Sequence, residues 1–170
     1  MSDLSALAFL EFPNNLFINL NNISYLRLNK DKLRIEVILN YPIRNSSILS
    51  KDGSLKTVSD YEYIRFTDVK TLNTTWEQTL ALVKKYPCCR VLKRKHPTGL
   101  NSQDFIINMD NVSTIKIKSH YVAIDFNHSV TYIDKHTGTS NQLAAQFLYI
   151  DIVDNADAND LIKALVDFQA

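Results

Sequence analysis

Hydrophobic and polar positions alternate along much of the first third of the chain. Leu26, Leu28, Leu33, Ile35, Val37 and Leu39 recur at a spacing of two, the side-chain period of a β-strand. Asn29 to Asp31 interrupts the run and predicts a turn between two strands. A polar stretch from Asn45 to Ser54 carries the turn signal Asp52-Gly53. Beyond it, Ile64 and Phe66 alternate with Tyr63 and Arg65 as a further strand. The period then changes. Trp76, Leu80, Val83 and Tyr86 lie on one face at helical spacing. Thr74-x-x-Glu77 fits a capping box, in which hydroxyl and carboxylate satisfy backbone N–H groups at a helix start, and Pro87 ends the pattern. Ala6 to Phe12 reads as a leading strand, followed by a polar bend at Pro13-Asn-Asn.

The same order of signals returns after residue 87. Asn19 to Leu28 aligns with Asn108 to Ile117 at an offset of 89, with Asn19/Asn108, Asn22/Asn111 and Ser24/Ser113 identical. Without a gap, Leu33, Ile35, Glu36 and Val37 then meet Val122, Ile124, Asp125 and Phe126. Tyr63-Ile64 meets Tyr149-Ile150, and Ala81-Leu82-Val83 meets Ala164-Leu165-Val166. A second leading strand is expected at Cys88 to Arg94, before the bend His96-Pro-Thr-Gly99, and a second helix opens near Asn155 and Asp157 with Leu161, Ile162, Leu165 and Phe168 on its buried face. An internal repeat of this kind governs the fold. The expectation is an α+β chain, one domain over 1–170, built from an internally duplicated ββββα unit. The repeats are 1–87 and 88–170, and two antiparallel sheets lie side by side with two covering helices. Segments 17–86 and 105–168 should then superpose.

This duplicated plan resembles the Whirly and PUR-repeat proteins. The likeness is one of element order and covers most of the chain. It implies binding of single-stranded DNA or RNA, without catalysis.

Charge changes the picture by its distribution. The net charge is +1, but residues 1–86 carry +2, residues 87–103 carry +4 and residues 104–170 carry −5. A basic first unit and connector therefore precede an acidic second unit. If Leu26, Leu28, Ile35 and Ile64 face a helix, then Tyr25, Arg27, Lys32, Arg34, Tyr63 and Arg65 face away. Aromatic rings interleaved with cations suit a splayed single strand, because rings stack on bases and cations meet phosphates. Arg90, Lys93, Arg94 and Lys95 would extend that surface. The second unit offers Thr114, Lys116, Tyr121, Ala123, Asp125, Tyr149 and Asp151 in the corresponding places. Ordinary solvent-facing sheet residues, with Arg34 paired to a neighbouring acid, give the same pattern without any ligand.

Other chemistries find little purchase. The chain has three glycines and neither GxGxxG nor GxxxxGK[ST]. Cys88 and Cys89 are adjacent, so a disulfide between them would be strained, and two thiols alone build no structural zinc site. His120, His128 and Asp134 make a poor metal set, and Asp154, Asp157 and Asp160 suit a helix start, where acids complement the dipole. No enzyme, metal or cofactor is expected. No apolar run approaches the roughly 18–20 residues of a membrane span, and the N-terminus lacks the pattern of a secretory signal. A cytoplasmic protein that forms homo-oligomers is the expectation. A protein-interaction or assembly module without nucleic-acid binding is the alternative.

Overall fold

The computed structural model describes residues 9–40, 61–95, 102–133 and 140–167. The first half forms β1 (Phe9–Phe12), β2 (Leu16–Asn19), β3 (Ile23–Asn29), β4 (Arg34–Leu39), β5 (Tyr61–Arg65) and α1 (Val69–Val83). The second forms β6 (Cys89–Lys95), β7 (Ser102–Asn108), β8 (Val112–Ile117), β9 (Tyr121–Ile133), β10 (Ser140–Asp151) and α2 (Asn155–Val166). The chain is thus α+β with antiparallel strands throughout. Two expectations are corrected. Among the described residues each helix is preceded by five strands, not four, because β2 and β7 follow the leading strands β1 and β6 as their hairpin partners. Between β1 and β2, Asn14 and Asn15 take left-handed backbone angles, at φ 65° and 58°, so the bend is tight enough to return the chain as a hairpin.

The second correction concerns the sheets, of which the described residues form three. One is the hairpin β1–β2, one is β10–β9–β8, and the largest runs β5–β4–β3–β7–β6. The largest sheet takes strands from both halves, joined where β3 pairs with β7 (Tyr25 opposite Ile107, Leu28 opposite Asp104). Register also shifts the sequence comparison. Leu26 faces Val37 across one hairpin, and Ile115 faces Ile124 across the other. With Leu26 set against Ile115, Val37 therefore meets Ile124, not Phe126. The second hairpin turns two residues sooner, closed by the Lys118 amide donating to the Tyr121 carbonyl at 2.9 Å.

Both helices start at an aspartate. Asp68 accepts from the Thr71 amide at 2.8 Å, and Asp154 from the Asp157 amide at 2.8 Å. Thr74 is therefore inside α1 rather than at its cap. The apolar stripe reaches back to Leu72, and a carboxylate satisfies the free amides better than the later Thr74–Glu77 pair could. The helix closes at Val83, before Pro87.

Two cores result. Under α1, Leu72, Trp76, Leu80 and Val83 pack on Leu26, Leu28, Ile35, Val37 and Ile64, with Leu10, Phe12 and Ile18 of the β1–β2 hairpin beside them. Under α2, Ala158, Leu161 and Leu165 pack on Val122, Ile124, Leu148 and Ile150. This second core also takes Tyr25, Leu92, Phe105 and Ile107, from the reverse face of the five-stranded sheet. That sheet is consequently dry on both faces at Tyr25 and Leu26 of β3 and at Phe105 to Ile107 of β7, while the face away from α1 stays open from Arg27 across the Arg34 end of β4 to β5. Phe168 lies outside the described residues.

Candidate nucleic-acid interface

The open face of β4 and β5 carries Arg34, Glu36, Tyr61, Tyr63 and Arg65, joined by Arg27 from β3. Alternation puts these side chains opposite Ile35, Val37 and Ile64, which face α1. At the centre is Glu36, 1% exposed. Its Oε2 accepts from the Arg27 Nε at 2.6 Å, and its Oε1 accepts from the Arg34 Nη2 at 2.6 Å and the Asn29 Nδ2 at 3.0 Å. Burial alone would push this carboxyl up. The hydrogen bonds from Arg34 and Arg27 outweigh it and hold Glu36 below its ordinary range. Two of the expected phosphate ligands are thus committed to one carboxylate, and the trio keeps a net charge of +1.

The aromatic part is ordered around the same trio. The Arg34 guanidinium lies 3.8 Å from the centroid of the Tyr63 ring, and Tyr63 stacks on Tyr61 at 4.5 Å. Tyr61 and Arg65 are exposed. Arg65 stands opposite Arg34 in the ladder, so the positive charge of this margin culminates at β5.

Tyr25 does not belong to this surface. It is 8% exposed and stacks on Phe126 at 5.5 Å. It does face away from α1, but the second core covers that side of β3. Lys32 is exposed in the turn after β3, where its amide is held by Asn29 Oδ1. The basic run on β6 divides. Arg94 donates from both terminal nitrogens to Asp157, at 2.6 and 2.7 Å, and also to the Asp151 carbonyl. This clamp holds Asp157 down at about 2. Arg90 is half-buried and donates to the carbonyls of Pro87 and Cys89. Lys93 remains exposed on β6, opposite Asp104. Arg94 thus ties β6 to the start of α2, Arg90 bonds to the carbonyls just before it, and neither is presented beside β5, which is the opposite edge of the sheet.

Two aromatic residues escaped the sequence reading. Tyr61 extends Tyr63, and Phe147 extends Tyr149, with ring centroids 4.5 Å apart in both pairs. Tyr121 leans on Tyr149 at 4.8 Å. The signal was present as aromatic-x-aromatic on each last strand, which period 2 places on one face. Beside the second pair, Lys116 Nζ is 3.0 Å from Asp125, and Thr114 donates to the same carboxylate at 2.6 Å.

Among the described residues, no group of three His, Cys, Asp or Glu could hold a metal ion. His96, Asp134 and His136 lie outside them. Burial pushes the Cys89 thiol far above its ordinary range and also raises Cys88, so both are protonated at neutral pH. No helix among the described residues is long and apolar enough to cross a membrane. Comparison with protein-family models, curated proteins and solved structures finds no match for this chain.

Proposed function

We propose that the chain is an internally duplicated, non-enzymatic module of the Whirly/PUR type, with repeats 1–87 and 88–170, that binds single-stranded nucleic acid along β4 and β5. Three features support duplication. Each half has a 3-10 turn capped by an asparagine, Asn19 or Asn108, before its third strand. Each third strand has an irregularity at the same place, Ile23/Tyr25 and Val112/Thr114. Each half closes with a strand bearing a stacked aromatic pair and an aspartate-capped helix.

The binding reading rests on one observation, the Tyr61–Tyr63 stack, whose outer ring Tyr61 is exposed, with Arg34 against Tyr63 and Arg65 on the same strand. Bases stack on the outer ring, and Arg65 meets the backbone phosphate. Titration of labelled oligonucleotides at two salt concentrations tests this. Arg65→Ala should lower the salt slope by about one phosphate contact, and Tyr61→Ala should weaken binding about 5- to 150-fold, the value of one base stack at 1–3 kcal/mol. Absence of binding by the unaltered protein at low salt defeats the reading. The protein-interaction alternative has its own observation in β8, which among the described residues pairs only with β9.

A further inference from the structure

β3 and β8 hold the same place in their repeats but have different neighbours. β3 lies between β4 and β7, whereas β8 has β9 on one side and, among the described residues, no strand on the other. The Lys118 amide points at β9, so by antiparallel alternation the amides and carbonyls of Ile115 and Ile117 point at the vacant side. The side chains agree. Leu26 and Leu28 of β3 are 0% and 3% exposed. At the matching places of β8, Ile115 is half-buried and Ile117 is 50% exposed.

What fills the edge of β3 is β7, the second strand of the β6–β7 hairpin. Its counterpart ahead of β3 is the β1–β2 hairpin, and among the described residues β2 pairs on one side only. Setting Asn19 against Asn108 puts Phe17 in the place of Ile106, which is 1% exposed against 54% for Phe17. Both sides of a second ladder therefore exist, each with an apolar residue left in water. Within one chain they do not meet. Leu10, Phe12, Ile18 and Leu20 hold the β1–β2 hairpin in the first core.

We infer that a second copy of this chain completes the sheet: β2 of each copy adds antiparallel to β8 of the other, Phe17 facing Ile115, in a closed two-fold dimer that repeats the β3–β7 ladder between chains. A reciprocal contact of this kind is self-complementary and stops at two. It also sets the basic first repeat of each copy against the acidic second repeat of the other. An unpaired edge with exposed apolar residues is otherwise an aggregation hazard. The inference rests on the equivalence of the two repeats and is independent of nucleic-acid binding.

Sedimentation velocity of the full chain, without nucleic acid, tests it. The unaltered protein should run as a dimer. Phe17→Asp and Ile117→Asp should each run as monomers with unchanged circular dichroism, because both side chains are about half-exposed in one chain. An equimolar mixture of the two variants should recover dimer, since one of its two ladders is then unaltered in both strands. Arg65→Ala should remain dimeric. A monomeric unaltered protein overturns the inference. So does a dimer that survives both aspartates, or one lost with Ile117→Asp alone, which would mean that β8 pairs with β8.

Discussion

The outward sheet faces of the two halves of the chain balance their charges differently. In the first, Arg27 and Arg34 converge on a Glu36 that is 1% exposed. In the second, register puts Ala123 where Glu36 stands, and the carboxylate moves to Asp125, served by Lys116 and Thr114 near solvent. A buried carboxylate needs its partners, because an unpaired charge in a dry site is costly. An exposed pair contributes little. One half therefore carries a structural charge cluster and the other an ordinary surface pair. The margin at β5 keeps an arginine that is not part of the cluster, whereas β10 ends at Asp151.

The helices allow the sharpest test of this asymmetry. Counting from Asp68 and Asp154, Trp76 and Ile162 hold the same place, but Trp76 is 2% exposed and Ile162 only half-buried. Trp76→Ala should cost about 3–5 kcal/mol in chemical denaturation. Ile162→Ala should cost about 1–2 kcal/mol, in proportion to the smaller area it covers. Equal losses would erase the distinction between the two cores.

Next in size is the charge cluster. Glu36→Ala leaves two guanidinium groups without their carboxylate and should destabilise by about 3 kcal/mol. Asp125→Ala should change stability by under about 1 kcal/mol. Urea midpoints for the two variants decide whether the clusters differ as described.

Acid unfolding sharpens the comparison further. Asp157, held at about 2 by Arg94, and Glu36, held below its ordinary range, are carboxyls that bind protons more weakly in the folded chain. Their contribution is present in full above the unfolded carboxyl range and is lost as pH falls through their folded values. Asp157→Asn should flatten the fall of stability between about pH 4 and pH 2. An unchanged acid limb would show that the Arg94–Asp157 clamp contributes nothing. The smallest effect is expected from Lys116→Ala, which should leave oligonucleotide affinity nearly unchanged because Lys116 is taken up by Asp125. A loss equal to that of Arg65→Ala would place binding on both halves of the chain.

Much of the secondary structure was legible because it follows local periodicity. The strands around Leu26 and Ile35, the strand ending at Arg65, and the buried pair Leu80 and Leu165 all lie where alternation or helical spacing put them. The sheet arrangement was not legible. Pairing between β3 and β7 joins residues about 80 positions apart, and no local pattern encodes which edge a hairpin selects. The same contact explains Tyr25: period 2 assigns its face correctly, but burial of that face depends on a distant strand and helix. Glu36 was within reach, since Arg34-x-Glu36 puts opposite charges on one side of β4. Its role was obscured by a gap-free comparison that set it against Asp125 instead of Ala123.

The β3–β7 junction has a consequence for how the chain is made. While the first half leaves the ribosome, β3 has β4 beside it but nothing on its other edge, and Tyr25 has no Phe126 to stack on. Its sheet can be completed only after residue 108 has emerged, and its second face is covered only once β9 and α2 follow. At ordinary rates of about 5–20 residues per second, the nascent first half spends several seconds with an open β-edge. A ribosome stalled between residues 87 and 102 would therefore hold a chain that chaperones recognise, and the released chain would not be one.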